Sequence, residues 1–142
     1  MDNFVEREWT LSIITETWFV TDAKYEQTIL DLKNGHGIGA ICLNRTSSMG
    51  RNSGGGVAVM FRKSKGNFTA FPAKKNGCEI VTAKGKIAGD NRTIFVIGVY
   101  MPPGMRRIRV EKYINTIHDI ITKMKIQERN PRYDKKRERK LL

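Results

Sequence analysis

The chain has 142 residues, with 26 Lys and Arg against 14 Asp and Glu, a formal net charge of +12 and 39% apolar residues. That length and apolar content fit one folded domain and exclude a disordered or collagen-like chain. No apolar run is long enough to span a bilayer, the start MDNFVEREWT lacks the order of a secretory signal, and Cys42 and Cys78 without CxxC spacing make neither a disulfide framework nor a zinc site. A nuclear or cytoplasmic setting, with no membrane partner, is the expectation.

In chain order, Leu11-Ser-Ile-Ile-Thr-Glu16 reads as a short buried strand, rich in β-branched residues and closed by a carboxylate. Asp22 can cap a helix over residues 23–33, with Tyr25, Ile29 and Leu32 on one face and Gly35 as its stop. Residues 39–44 look like a second strand. Residues 45–56 are rich in Ser, Thr and Gly and must be a loop. Residues 56–62, Gly-Val-Ala-Val-Met-Phe-Arg, read as a third strand, and two more are expected near 68–71 and 79–84.

The polar turn at 88–92 leads into Thr93-Ile-Phe-Val-Ile-Gly-Val-Tyr100, the strongest strand signal, which Met101-Pro-Pro-Gly104 breaks. Val110, Tyr113, Ile114, Ile117, Ile121 and Met124 then recur at helical spacing and predict an amphipathic helix over about 107–125. Strands interleaved with helices make this an α/β chain. Residues 1–125 form the expected domain. Residues 126–142, mostly charged and holding Pro131, read as a basic disordered tail or a weak solvated helix. The KKRERK run there suits a nuclear-localisation or nucleic-acid patch, or an end with no role.

Charge is uneven along the chain. Residues 1–34 hold three basic and seven acidic side chains, residues 35–122 hold fourteen and four, and the last twenty hold nine and three. A basic middle and end suit a polyanionic partner, because Lys and Arg displace counterions condensed on phosphates.

Individual residues carry less. Glu16, at the end of a buried strand, could hold a hard divalent cation, or could be an exposed turn residue. Gly54-Gly-Gly56 after Ser47, Ser48, Arg51 and Ser53 could bring backbone N–H groups and a guanidinium to a phosphate, yet it matches neither GxxxxGK[ST] nor GxGxxG. Tyr100, at a strand end, could donate to a phosphate oxygen or simply edge the core. His118 reads as a plain helix residue, and turn chemistry accounts for Asp90.

Three blocks in order resemble the endonuclease/exonuclease/phosphatase superfamily, particularly the endonuclease domain of non-LTR retrotransposons. LSIITETWF at 11–19 is similar to its strand ending in Glu-Thr-Trp or Glu-Thr-Lys. NRTSSMGRNSGGGVAVMFR at 44–62 is similar to its loop and strand around Gly-Gly-Gly-Val-Ala. IFVIGVYMPPG at 94–104 is similar to its strand ending in Tyr-x-Pro-Pro. The resemblance implies about half of a four-layer α/β sandwich, with a mixed sheet and flanking helices. It also implies a Mg²⁺-dependent hydrolase that nicks DNA for reverse transcription, with a reverse-transcriptase region of the parent polyprotein as a partner.

By the same resemblance Glu16 is the metal ligand and Tyr100 contacts the phosphate. Arg45, Ser47, Ser48 and Arg51 lie near the DNA backbone, with Arg62 at the end of the next strand counted among them. The family also carries an Asn-bearing strand before the Glu strand, then Gly-Asp-Phe-Asn and Ser-Asp-His motifs beyond the helix, and none of these stands in these 142 residues. The expectation is therefore an interior fragment, inactive by itself. A non-catalytic basic nucleic-acid-binding module is the alternative. A branch acting on phosphoinositides or small phosphoesters fits the Gly-Gly-Gly-Val-Ala and Tyr-x-Pro-Pro blocks less well.

Overall fold

The computed structural model describes residues 9–15, 35, 37–43 and 56–130. Its elements are β1 (Leu11–Thr15), β2 (Ile38–Leu43), β3 (Val57–Arg62), β4 (Gly66–Ala70), β5 (Ile80–Ile87), β6 (Ile94–Val99) and α1 (Arg107–Arg129). The helix expected at 23–33, the loop at 45–55 and residues 131–142 lie outside the described residues. The α/β class read from the sequence is present, as two three-stranded sheets and one helix. Every described strand pair is antiparallel, so the parallel pairing of a mixed sheet is not among the described residues.

Two compact units divide the chain. One comprises Met1–Pro72 and Glu79–Pro103, and the other Ala73–Cys78 and Gly104–Leu142. All six strands belong to the first. One sheet has the order β1-β3-β2 and the other β4-β5-β6. β3, Val-Ala-Val-Met-Phe, is buried on both faces, which is why it reads as an unbroken apolar run rather than an alternation. Val57, Val59 and Phe61 of β3 share one buried cluster with Phe68, Val81, Ala83 and Val96 of the other sheet. On the opposite side of β3, Met60 packs with Ile38, Trp9, Ile14 and Ala40.

Two phenylalanines set the spacing at the centre. Phe61 stands opposite Gly39 across β2–β3, and Phe68 opposite Gly85 across β4–β5. Any Cβ at Gly39 would run into the Phe61 ring, and one at Gly85 would meet the Phe68 ring at 2.7 Å. Each ring thus lies over its cross-strand glycine, an arrangement that pins register. The two rings meet with centroids 5.5 Å apart at 56°. At Gly98 of β6 a Cβ would lie 2.8 Å from Val81, 3.0 Å from Ile13 and 3.1 Å from Val57. The sheets approach so closely there that a side chain has no room.

Strand ends differ from the sequence reading where polar residues do the pairing. β5 continues through Lys84-Gly-Lys86 to Ile87, because Lys84 and Lys86 pair with Thr69 and Asn67. A lysine-rich stretch carries no strand signal of its own. β4 starts at Gly66, straight after a turn closed by Lys65 N–H on Arg62 C=O at 3.0 Å.

The β5–β6 turn takes Gly89 at φ +82° and an ion pair of Asp90 with Arg92 at 2.7 Å. The Arg92 guanidinium, and then the Arg92 backbone N–H, hold the Asp90 carboxyl below its ordinary value, against a small opposing effect of desolvation. A depressed folded pKa means the turn gains from this pair above the ordinary carboxylate pKa and loses it as pH falls through the folded value. The Asp90 carboxyl, followed by NMR, is expected to titrate below the ordinary aspartate value of 3.8 and to return towards it in Arg92→Gln. An unchanged midpoint in that variant would show that the pair does not form.

The second unit is α1 with the segment 73–78. Asn76 at φ +52° and Gly77 at φ +74° make its turn, and Arg109 donates to the Gly77 carbonyl at 3.0 Å. Asn76 Nδ2 donates to Thr116 Oγ1 at 3.1 Å, and the Cys78 thiol lies 3.9 Å from the same oxygen. Burial, and then the neighbouring Lys123 charge, lower the Lys75 ammonium below the ordinary lysine value. The buried line of α1 is Tyr113, Thr116, Ile120, Met124 and Gln127, whereas Ile114 and Ile121 of the expected face are exposed. Thr116 comes inward because Asn76 and Cys78 satisfy its hydroxyl, which an apolar count cannot foresee. The helix passes the expected end at 125 and reaches Arg129, a basic residue suited to the negative helix terminus.

Candidate functional site

Five strand ends meet at one edge of the paired sheets. Thr15, the last residue of β1, and Leu43, the last of β2, both stand opposite Val57, the first of β3. In the other sheet Ile80, the first of β5, stands opposite Val99, the last of β6. Glu79 ties these ends together. Its Oε1 accepts the Gly56 N–H at 3.2 Å across the two sheets, and its main-chain carbonyl accepts the Tyr100 N–H at 3.0 Å.

Glu79 is only 4% exposed, so its carboxylate sits where an ionised group needs donors around it. Gly56, buried and at φ +91°, is a position that favours glycine, and it closes the Gly54-Gly-Gly56 run. Tyr100 is half-buried, with its ring against the Val57–Val96 cluster. Pro102 beyond it is buried, which fixes the exit from β6.

Of the site residues expected from sequence, Tyr100 lies at this edge. Glu16 follows Thr15 directly in sequence and lies outside the described residues, as do Arg45, Ser47, Ser48 and Arg51. Arg62 lies at the far end of β3, roughly 17 Å away along a six-residue strand. There its guanidinium sits 5.1 Å from the Trp9 ring and its backbone N–H donates to the Thr10 carbonyl at 3.1 Å. Tyr100 and Arg62 are therefore not brought together.

Sequence reading took Glu79 only as the first residue of a strand. Its signal was an isolated carboxylate opening an apolar run, Glu-Ile-Val-Thr, within a basic stretch. Among the described residues no group of three His, Cys, Asp or Glu could hold a metal ion. Glu79 is the carboxylate described at this edge, and its Oε1 is taken by a backbone donor. The described residues do not by themselves fit a Mg²⁺ site. Among them, no helix is long and apolar enough to cross a membrane.

No family model matches the chain, and no curated protein or solved structure matches it either.

Proposed function

We propose that these 142 residues are part of a Mg²⁺-dependent DNA endonuclease of the endonuclease/exonuclease/phosphatase superfamily, of the kind that nicks target DNA for a retrotransposon. The observation that supports it is the convergence of the three resembling blocks. The strand before Glu16, the strand after Gly54-Gly-Gly56 and the strand before Tyr100 all end at the edge that Glu79 joins. Residues far apart in sequence but needed around one phosphodiester would have to meet in this way. The half of a four-layer sandwich belongs to the same proposal, as does a reverse-transcriptase region as partner.

In this reading Tyr100 donates its phenolic O–H to a phosphate oxygen, and the backbone around Gly54–Gly56 lets the nucleic-acid backbone approach closely. Glu16 would hold Mg²⁺, which would stabilise charge on the phosphate. The 142 residues alone are expected not to nick supercoiled plasmid in Mg²⁺, since catalytic groups act as a unit. Joined to the flanking sequence of its own reading frame, the protein is expected to nick it. Glu16→Gln is expected to lower that rate about a hundredfold or more. Tyr100→Phe is expected to lower it about tenfold, by removal of one hydrogen bond to a charged oxygen. Nicking that survives Glu16→Gln unchanged would sink the assignment.

A non-catalytic nucleic-acid-binding module is the second reading. The basic excess favours it: residues 56–92 hold eight Lys and Arg against Glu79 and Asp90, the first buried and the second paired to Arg92.

A further inference from the structure

We propose that the lysine-bearing end of the outer face of the β4-β5-β6 sheet, beyond buried Ile80 and Thr82, is a docking surface for the phosphate backbone of duplex DNA, separate from the Tyr100 edge. Strand alternation separates the two faces. Val81, Ala83, Phe68 and Val96 point into the shared core, so Lys84 and Lys86 project from the other side. Register sets Lys84 between Thr69 and Phe95, and Lys86 opposite Asn67. Asn67 and Thr69 are exposed and alternate with inward Phe68, so an amide and a hydroxyl stand beside the two ammonium groups.

The β3–β4 turn adds Lys63 and Lys65. The Lys65 carbonyl accepts the Ala88 N–H at 2.9 Å, which holds this turn beside the end of β5. Four lysines thus gather at the end of the strands remote from Tyr100. Among the described residues none of the four has a carboxylate partner: Asp90 is committed to Arg92, and Glu79 is buried at the other end. Uncompensated ammonium groups flanked by neutral donors suit a row of phosphates, which need charge and hydrogen bonds together.

An anionic lipid surface is the other polyanion with this charge. Lipid binding would also need apolar side chains to insert. The exposed large apolar residues described are Ile13 on β1, Met101 after β6 and four isoleucines on α1, and none belongs to β4, β5 or β6. Nucleic acid is the better fit.

The test is fluorescence anisotropy of a labelled DNA duplex with the full 142-residue chain, titrated at salt concentrations between about 50 and 200 mM. The variant Lys63→Gln/Lys65→Gln/Lys84→Gln/Lys86→Gln is expected to bind at least about tenfold more weakly. Its slope of log affinity against log salt is expected to shrink by about 3.6, at about 0.9 per lost phosphate contact. Replacing the same four lysines with arginine should restore both. Should the glutamine variant lose its near-ultraviolet circular dichroism, the exposed pair Lys63→Gln/Lys86→Gln is read instead, with about half the change in slope. Wild-type affinity and slope in the glutamine variants would overturn the proposal. So would binding to phosphatidylserine vesicles in place of DNA. A companion variant, Arg45→Gln/Arg51→Gln, changes the residues that the resemblance alone puts near DNA: loss of binding there, with the lysine variant unaffected, overturns the lysine face and leaves the endonuclease reading standing.

Discussion

Phe61→Ala is expected to destabilise the strand unit by about 3–5 kcal/mol, measured by urea denaturation. Phe61 is 6% exposed, belongs to the cluster that both sheets share, and holds its ring against Phe68 and over Gly39. Its loss removes contacts from three strands and leaves a void that the paired backbones cannot close. The reciprocal change, Gly39→Ala, puts a methyl group where the ring lies and is expected to destabilise by about 1–3 kcal/mol. Combined with Phe61→Leu, which vacates the space above residue 39, Gly39→Ala should do less harm than the separate losses sum to. A coupling below about 0.5 kcal/mol, the additivity expected of independent sites, would show that ring and glycine do not touch.

This centre was half legible in the sequence. β3 and β6 were readable because they are continuous apolar runs, and such runs report burial directly. Gly39 and Gly85 gave no hint of their partners, since a cross-strand contact depends on register and register depends on the whole sheet. The extension of β5 beyond Lys84 to Ile87 was invisible for a related reason. One face of that stretch is solvent-facing and lysine-bearing, so pairing with β4, and at Gly85 with β6 as well, makes it a strand.

The helix shows the opposite failure. Ile114, Ile117 and Ile121 gave a sound 3.6-residue period, but the buried line runs through Thr116 and Gln127, polar residues that an apolar count assigns to solvent. Tyr100 and Gly56 were legible as a strand end and a loop end. That they share an edge was not, because their neighbours belong to different sheets that Glu79 joins.

Glu79→Ala is expected to lower stability by about 3 kcal/mol, because a hydrogen bond to a charged acceptor goes and the buried Gly56 N–H is left without it. Glu79→Gln keeps an amide oxygen in the same place and is expected to lose about half as much. A stability measurement alone would not separate this from any other core substitution. Amide exchange does. The Gly56 N–H depends on the Glu79 side chain, whereas the Tyr100 N–H depends on the Glu79 main chain. Glu79→Ala should therefore speed exchange at Gly56 about a hundredfold, following about 3 kcal/mol at 1.4 kcal/mol per decade, under conditions of local opening. Tyr100 should change far less. Equal acceleration at both would mean that the whole strand end frays, and that Glu79 supports the fold without anchoring the loop. If Gly56 alone responds, the entry to β3 is held by one carboxylate. Losing that anchor should then also weaken any contact made through the Gly56 backbone, because a loosened strand entry must be ordered again on each binding event.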